Sequence, residues 1–541
     1  MNRGYRAILA RSLQAPLLVL AFGFVAPLLL MYALFVTIPK EFAPIEDRGA
    51  VFVQVTAPEG ASMDYTREHV VKIEELLKPY IEQGQAMAIM ANIAPGFSRP
   101  APVNTATISL RLKAWDERTK KQQQIHRELF AKVLAIPGVR ATATNPASLG
   151  LRGIQVPIQY VIGGTNYETL RDWRNRMLER MRQDGRFLNP DSNHRENKPE
   201  MRIGIDRARA ADLGVTVETI ARTLETMFGS REVTNYVERG EEYKVLLQAR
   251  AEDRAKPRDL TNIFVRSATT QQLIPLSNLV FFSEQAGPQD LTRVDRLRSI
   301  TLTATPGPGF TLAEALDVMD QYAKELLPPE VRISYEGQSR EFKESSASLY
   351  VTFSLALLVV FLVLAAQFES WIHPLIIMLA VPLAITGGLL ALWLTNITLN
   401  VYSQIGMILL VGLMAKNGIL IVEFSNQLRD EGRSIHDAVL EASVTRLRPI
   451  LMTSIATICG AVPLAVAAGA GAESREAIGW VIIGGVSVAT AMTLVVIPCL
   501  YLLLAHYTKP INTIAKKLSE MQDAQRNKPP EAHGHAASPA E

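Results

Sequence analysis

A lysine stands near the middle of a long apolar run, ILLVGLMAKNGILIVEF, and no other residue in this sequence is so unusually placed for chemistry. This residue is Lys416. At the centre of a bilayer a lysine costs about 2.5–3.5 kcal/mol on insertion scales. A lysine near the end of a span can reach the headgroups, but from the middle that reach is poor. We therefore expect Lys416 to pair with an anion or to act in transport, and the alternative is a tolerated structural lysine.

The sequence offers no evident buried carboxylate as a partner for this lysine. No aspartate occurs in any of the apolar stretches long enough to cross a membrane. Glu423 follows two turns further along the same helix, near its end, and Glu369 and Glu476 fall at the boundaries of other stretches. We infer that the anion comes from another polypeptide.

A second pair of polar residues, Arg446 and Thr453, lies in the run TRLRPILMTS. Because they are seven residues apart, they share one face of a helix. A threonine hydroxyl can join a chain of waters or proton carriers. The alternative is that Arg446 and Arg448 are positive-inside anchors and that Thr453 bonds back to its own helix.

The elements that hold these residues are predicted to be membrane-spanning helices. A bilayer core about 30 Å thick requires about 20 mostly apolar residues in a helix. The first apolar run is too long for a signal peptide and lacks a small-residue cleavage site, so we interpret it as a retained span. Six stretches qualify: 14–38, 346–366, 372–395, 401–424, 449–469 and 477–505.

Lysine and arginine in short flanking segments predict the orientation. They cluster before the first span, between the fourth and fifth spans and after the sixth span. With six spans, these segments all lie on one side, which we take as cytoplasmic. Both termini are then cytoplasmic, and the long segment between the first and second spans lies outside.

That long segment is predicted to be an α+β domain. Its strand-like and helix-like runs follow the order β-α-β-β-α-β over residues 39–150, which is typical of a split βαβ or ferredoxin-like unit. A similar pattern begins again in 151–199 and resumes in 286–343, interrupted by a module at 200–285. Residues 344–506 form a block of five helices after the N-terminal segment and first span, 1–38. The tail, 507–541, is expected to be partly disordered.

Composition excludes several classes of function. The 541-residue chain has a net charge of only +3, which gives no reason to expect nucleic acid as a partner. Cys459 and Cys499 lie in apolar stretches and suggest neither a disulfide framework nor a metal site. His533 and His535 are best interpreted as part of a solvated tail. No phosphate loop or nucleophile elbow is present, so we do not expect an enzyme.

The sequence closely resembles the resistance-nodulation-division (RND) superfamily, in its hydrophobe/amphiphile efflux branch of the AcrB and MexB type. The resemblance covers about residues 10–507 and matches only the second half of that family. The runs that carry it are FLVLAAQFESW (361–371), VYSQIGMILLVGLMAKNGILIVEF (401–424), RLRPILMTS (446–454) and IDRARAADLGV (205–215).

The resemblance implies an architecture and an energy source. The expected fold is an α-helical membrane bundle of six transmembrane helices plus a large α+β periplasmic domain, made of two ferredoxin-like porter subdomains and an inserted funnel or docking subdomain. The full-length pump of the family has twelve spans, works as a trimer and uses the proton gradient without a cofactor. The lysine of its AKN triplet, here Lys416, faces two aspartates of the first half. Asn417, Arg446 and Thr453 resemble members of the same proton-relay network.

The resemblance also implies partners and a substrate class. These are an N-terminal-half RND chain, a periplasmic adaptor protein, an outer-membrane channel and an amphiphilic small molecule, at the inner membrane of a Gram-negative bacterium. The loop 93–104 lies where the family has its switch loop beside the drug site. It is shorter here, and Ser109 replaces a phenylalanine that often lines that site, so Met90, Ile93 and Phe97 are the drug-binding candidates.

Two other interpretations remain open from the sequence. One is a translocation component similar to SecD/SecF, which also has six spans but uses acidic residues of its own membrane domain and lacks a module like 200–285. The other is an inactive fragment of a split gene. A neighbouring gene encoding six spans with an Asp-Asp pair would favour the efflux subunit.

Overall fold

The computed structural model describes residues 2–96, 102–146, 156–288 and 290–508. Phe97, the two histidines of the tail and most of the predicted tail lie outside these ranges. The helices are α1 (Asn2–Gln14), α2 (Pro16–Leu20), α3 (Ala26–Thr37), α4 (Met63–Glu82), α5 (Gln122–Leu134), α6 (Tyr167–Asp184), α7 (Arg207–Asp212), α8 (Val217–Leu224), α9 (Leu312–Leu326), α10 (Gly337–Phe368), α11 (Ile372–Met378), α12 (Ala380–Thr395), α13 (Val401–Asp430), α14 (Ile435–Ala465) and α15 (Ala472–Leu504). The strands are β1 (Ala50–Thr56), β2 (Ala86–Ile93), β3 (Thr105–Leu112), β4 (Arg140–Thr144), β5 (Ile158–Gly164), β6 (Phe187–Ser192), β7 (Lys198–Ile205), β8 (Arg231–Glu238), β9 (Glu241–Leu247), β10 (Phe264–Arg266), β11 (Leu273–Pro275), β12 (Val280–Gly287), β13 (Arg293–Val294), β14 (Leu297–Pro306) and β15 (Arg332–Tyr335).

Within the described ranges, six helices are long and apolar enough to cross a bilayer. The first joins α2 to α3 through a π-helical turn at Ala21–Val25, and the third joins α11 to α12. All six coincide with stretches expected from the sequence. They are Pro16–Thr37, Gly337–Phe368, Ile372–Thr395, Val401–Asp430, Ile435–Ala465 and Ala472–Tyr507.

Three of these helices begin earlier than their apolar composition indicates. α10 begins at Gly337, and α15 begins at Ala472, directly after Gly471 in the left-handed conformation. The largest difference is in α14, which was expected to begin at Pro449 but begins at Ile435. Ser434 caps it by accepting a hydrogen bond from the Asp437 backbone N–H. A polar cap and an amphipathic first half therefore set the start of α14, and Pro449 is accommodated inside the helix, as proline often is in membrane helices.

Glycines allow α12 and α15 to pack backbone against backbone. A Cβ atom placed on Gly387 would lie 2.5 Å from the carbonyl oxygen of Gly484, and one on Gly485 would lie 2.3 Å from the Leu410 side chain. This close approach is the role expected of small residues in a membrane bundle. Gly412 and Gly460 differ, because no described atom lies within 4 Å of the corresponding Cβ position.

The first sheet has the order β2-β3-β1-β4 and is antiparallel throughout. Since β3 lies between β1 and β2, the arrangement is that of a split βαβ unit. The central strand β1 alternates buried valines with half-buried residues. One side of the sheet is covered by α4, which buries Ile73 and Leu77, and by α5, which buries Ile125 and Leu129.

The second sheet repeats this order with β15-β5-β14-β6, and β13 pairs with the beginning of β14. The strand β6 was not predicted from the sequence. Its sequence, FLNPDS, contains a proline that argues against a strand, but β6 is an edge strand, where proline is tolerated. The chain leaves this sheet after β6 and returns at β14, and β15 leads directly into α10.

Residues His194–Leu291 form a compact unit of their own. Its hydrophobic core contains Ala210, Ile220, Val265, Leu276 and Leu279. The strands β7 and β12 pair with each other, and β8 and β9 form a separate hairpin whose side chains are almost all exposed.

Candidate functional site

Lys416 lies at the middle of α13, on the face that the chain leaves uncovered. Its side chain is exposed, as are those of Leu409, Gly412 and Glu423, whereas Asn417 and Gly418 beside it are buried. The spacing of the exposed residues follows the helical repeat, so they form one stripe along α13. Lys416 makes no ion pair or hydrogen bond with the residues that the structure describes.

Glu423 lies on the same stripe as Lys416 and is also exposed. It is seven residues away, which corresponds to about 10 Å along the helix axis. A carboxylate at that distance cannot form an ion pair with the ammonium group while both side chains remain in one stripe of a straight helix.

Arg446 lies eleven residues inside α14, although it precedes the apolar stretch 449–469 from which this helix was predicted. Its guanidinium stacks over the Phe424 ring of α13, 4.6 Å from the centroid. Its Nε is buried and has no hydrogen-bond partner within the described ranges. Since Phe424 is eight residues after Lys416, Arg446 lies roughly 12 Å from the lysine along the bundle axis.

Thr453 lies closer to the level of Lys416. Its neighbour Ser454 accepts a hydrogen bond from Thr490, and Thr490 accepts one from Asn417, which is adjacent to Lys416 in the chain. The Thr453 hydroxyl itself donates to the Ile450 carbonyl oxygen at 3.1 Å. This bond to its own helix is the alternative that the sequence left open, and it keeps the hydroxyl oxygen available as an acceptor.

A chain of hydrogen bonds through the bundle interior holds Asn417, Thr490 and Ser454 together. Asn417 Nδ2 donates to Thr490 Oγ1 at 3.4 Å, and Thr490 Oγ1 donates to Ser454 Oγ at 2.9 Å. All three residues are buried, and they join α13, α15 and α14. Thr490 and Ser454 were not predicted from the sequence, where the available signal was polar residues at helical spacing within apolar spans.

The drug-binding candidates lie on and after β2, the edge strand of the first sheet. Met90 is exposed and Ile93 is half-buried. Ser109, on β3, pairs with Met90 in register and is buried. Phe97 lies outside the described residues. The described part of this region is therefore an open apolar strand edge.

A polar segment connects the bundle to the first β-domain. Tyr402 in the first turn of α13 donates to Glu46 at 2.9 Å, and Asp47 forms a buried ion pair with Arg118. Glu473 in the first turn of α15 accepts hydrogen bonds from the Asp47 backbone at 3.4 Å and from Gln123 at 2.9 Å. The first turn of α15 is thus bonded to α5, and the first turn of α13 is bonded to the segment that precedes β1.

A buried carboxyl group, Glu41, lies in the same connecting segment. Burial raises the pKa of Glu41, and a hydrogen bond from the Thr398 hydroxyl partly offsets that effect. Thr398 belongs to the turn between α12 and α13. The connecting segment therefore contacts the bundle next to the helix that contains Lys416.

Comparison with known proteins identifies the family. The model of the AcrB/AcrD/AcrF family matches residues 1–505. The chain is 35% identical over 497 residues to the probable efflux pump membrane transporter TtgB of Pseudomonas putida, covering 88% of this chain and 46% of that protein. It is 31% identical over 484 residues to the multidrug export protein AcrF of Escherichia coli, again covering 88% of this chain and 46% of the relative.

An uncharacterized transporter of Haemophilus influenzae is 33% identical over 488 residues, with the same 88% and 46% coverage. The chain thus spans about half the length of the curated relatives that it matches. With six apolar helices, two β-domains of one topology and a family match over almost the whole chain, this protein belongs to the AcrB/AcrD/AcrF family of RND efflux transporters.

Proposed function

We propose that this chain is the C-terminal half of a proton-driven efflux transporter of the inner membrane. It exports drugs or other amphiphilic molecules from the periplasm or the membrane toward an outer-membrane channel. An N-terminal-half RND chain supplies the proton-binding carboxylates, and three such pairs form the working trimer, which binds a periplasmic adaptor. The proton gradient is its energy source, and no cofactor takes part.

The exposed position of Lys416 carries this proposal. An ammonium group at the centre of a span is costly unless an anion neutralises it, and the described residues provide none in contact. One turn earlier on the same stripe, Gly412 leaves room for a helix backbone to approach. A cation and a small residue on one open stripe favour a docking helix that carries carboxylates.

Protonation of such carboxylates would change the force on α13. While they are ionised, they attract the Lys416 ammonium strongly, because the surrounding dielectric constant is low. A proton entering from the periplasm neutralises a carboxylate and weakens that attraction. Arg446 is a second cation whose position relative to α13 is set by its stacking on Phe424. Thr453, at the level of the lysine, supplies an acceptor oxygen for a water or a proton donor.

Movement of α13 is then transmitted to the β-domains by the connecting segment that contains Glu46 and Asp47. The first turn of α13 donates to Glu46, and the neighbouring Asp47 is held by Arg118 and the α15 residue Glu473. The substrate binds at apolar surface of the first β-domain, for which Met90 and Ile93 are the described candidates. Some relatives are named for their substrates, such as a multidrug/solvent efflux pump of Pseudomonas putida, and such names are consistent with an apolar substrate.

The test is co-expression of this chain with an N-terminal-half RND chain in a drug-susceptible strain. We expect no resistance from this chain alone, resistance from the pair, and loss of resistance when Lys416→Ala replaces the parent. Lys72→Ala is the matched control, because Lys72 is exposed on α4 and pairs only with Glu68 in the same helix. Each variant is quantified in membranes, so that a loss of resistance is not confused with a loss of protein.

Two outcomes would contradict the proposal. Full resistance from this chain alone would show that no external acid is required. Parental resistance from the Lys416→Ala pair would show that the lysine has no part in coupling. Lys416→Arg serves as the conservative variant and should retain part of the resistance, since it keeps the positive charge.

A further inference from the structure

A buried polar cluster lies at the end of the bundle where α13 and α15 terminate, away from the level of Lys416. It contains His373 from α11, Asn426 and Arg429 from α13, Tyr501 from α15, and Thr508 just after α15. His373 and Asn426 are each about 1% exposed. None of these residues belongs to the relay described above, so their burial in an apolar bundle requires its own explanation.

Hydrogen bonds and ring packing fix the geometry of this cluster. The Tyr501 hydroxyl donates to Asn426 Oδ1 at 2.5 Å, and Arg429 donates to the same hydroxyl at 3.2 Å. Arg429 also donates to the hydroxyl and carbonyl oxygens of Thr508 at 3.1 and 3.0 Å. The His373 ring contacts Phe368, with 5.8 Å between centroids, and stacks on Tyr501 at 6.1 Å. The imidazole therefore packs against two aromatic rings.

Three polar atoms of the cluster lack a partner within the described ranges. They are both ring nitrogens of His373 and Nδ2 of Asn426. A neutral imidazole offers one donor and one acceptor, and the amide nitrogen offers a further donor. Each of these groups can bond to a buried water, and buried waters typically make about three hydrogen bonds to otherwise unsatisfied polar groups.

We propose that the cluster of His373, Asn426 and Tyr501 is a buried hydration site, and that its imidazole carries protons between the interior of the bundle and the side on which α13 and α15 end. An imidazole can accept a proton at one ring nitrogen while it releases another from the second nitrogen, so no net charge remains after transfer. The proton-carrying part rests on the proposed function.

The position of the cluster suits this role. Asn426 is nine residues after Asn417 on α13, which places the cluster roughly 13 Å from the Asn417–Thr490–Ser454 chain along the bundle axis. In the orientation inferred from the flanking arginines and lysines, this end of the bundle faces the cytoplasm. A proton that enters at the periplasmic side must leave at this end, and His373 is the buried group of the cluster with two exchangeable ring positions.

The hydration site can be tested on the purified chain without transport. His373→Phe preserves the stacking on Phe368 and Tyr501 but removes both nitrogens. If water binds there, the variant leaves Asn426 Nδ2 without a partner and lowers the melting temperature by a few degrees. If the imidazole is packed dry, the same variant removes two unsatisfied groups and raises the melting temperature or leaves it unchanged, which would overturn the proposal. His506→Phe, an exposed histidine nearby, is the control and should have no effect.

The proton-carrying role is tested in the co-expressed pair. We expect His373→Phe to reduce drug resistance well below the parent at equal protein level, and His373→Gln, which retains a donor and an acceptor, to keep the melting temperature but not full transport. Parental resistance in both variants would refute proton transfer by His373. If the parental pair itself confers no resistance, the proposed function fails and the proton-carrying part fails with it, whereas the melting temperatures still decide the hydration site.

Discussion

Two faces of the helical bundle use glycine in opposite ways. Between α12 and α15, Gly387 and Gly484 bring two backbones so close that a single added carbon would collide with a carbonyl oxygen. On the uncovered stripe of α13, Gly412 has no described atom within 4 Å of its Cβ position, and Lys416 follows one turn later. All three helices belong to apolar spans long enough to cross a membrane. The difference shows that the described residues fill one packing surface and leave the other open, as docking of the proposed partner half would require.

We expect the largest loss of stability from a substitution at the closed face, which is the contact between α12 and α15 at Gly387 and Gly484. Gly484→Leu should abolish the folded state, because its side chain would have to occupy the space of the Ala391 Cβ and the Gly387 backbone, 2.4–2.5 Å from the new Cβ. Overpacking of cores costs about 1–3 kcal/mol even where side chains can shift, and backbone atoms shift less. Yield of monodisperse protein after detergent extraction measures the effect.

Gly412→Leu is the matched control for that experiment. The same substitution, in another apolar helix, should leave the yield and melting temperature of the chain close to those of the parent, because nothing in the described chain opposes it. A loss of folded protein equal to that of Gly484→Leu would show that the two faces are not different.

The open face, which is the stripe of α13 that contains Gly412 and Lys416, should become inaccessible to thiol reagents when the partner half binds. In a Cys459→Ser background, Gly412→Cys should react with a small maleimide in the lone chain and be protected in the co-purified pair. Cys499 is buried in the bundle and serves as the internal unreactive thiol. Equal labelling of Gly412→Cys with and without the partner would contradict docking at this stripe, whatever the transport result.

A smaller effect is expected from the hydrogen-bonded chain inside the closed part of the bundle. Thr490→Val keeps the shape of the side chain but leaves Asn417 Nδ2 and Ser454 Oγ without their present partner. Loss of a buried hydrogen bond with an unsatisfied group typically costs about 1–3 kcal/mol. Denaturant or thermal unfolding of the purified chain measures this cost.

Thr457→Val is the control for this variant, since Thr457 bonds only to the Thr453 carbonyl of its own helix. We expect a change within about 0.5 kcal/mol for Thr457→Val, as for most substitutions away from such networks. Equal destabilisation by the two variants would mean that the chain of three residues contributes nothing specific.

The elements of the fold were largely predictable because their patterns are strong. Apolar runs of about 20 residues marked the six helices, and alternation of valines marked β1. Helix boundaries were less predictable where polar turns extend a span: α14 begins at Ile435, directly after its serine cap and fourteen residues before the expected Pro449. The edge strand β6 was missed because its proline is tolerated only at a position that the sheet order defines.

The candidate site was predictable only in part. Lys416 was found because a charge in an apolar run is costly wherever the helix lies, and this requires no knowledge of packing. Thr490, Ser454 and His373 were missed, because a hydroxyl or an imidazole within a span gains meaning only from the helix opposite to it. Thr453 was placed at the level of the lysine only once the packing of α13, α14 and α15 was known.

Sequence alone was enough to predict six membrane-type helices, a repeated α+β domain and an ammonium group in an apolar span with no carboxylate evident beside it. These properties follow from composition and periodicity along one chain, which are local. The packed structure was needed to show which glycine Cβ positions are occupied by neighbouring atoms, which polar groups meet and which stripe of α13 stays open. Those properties depend on contacts between residues distant in sequence, because packing selects one face of each helix for burial, and hydropathy cannot distinguish that face from one awaiting a partner.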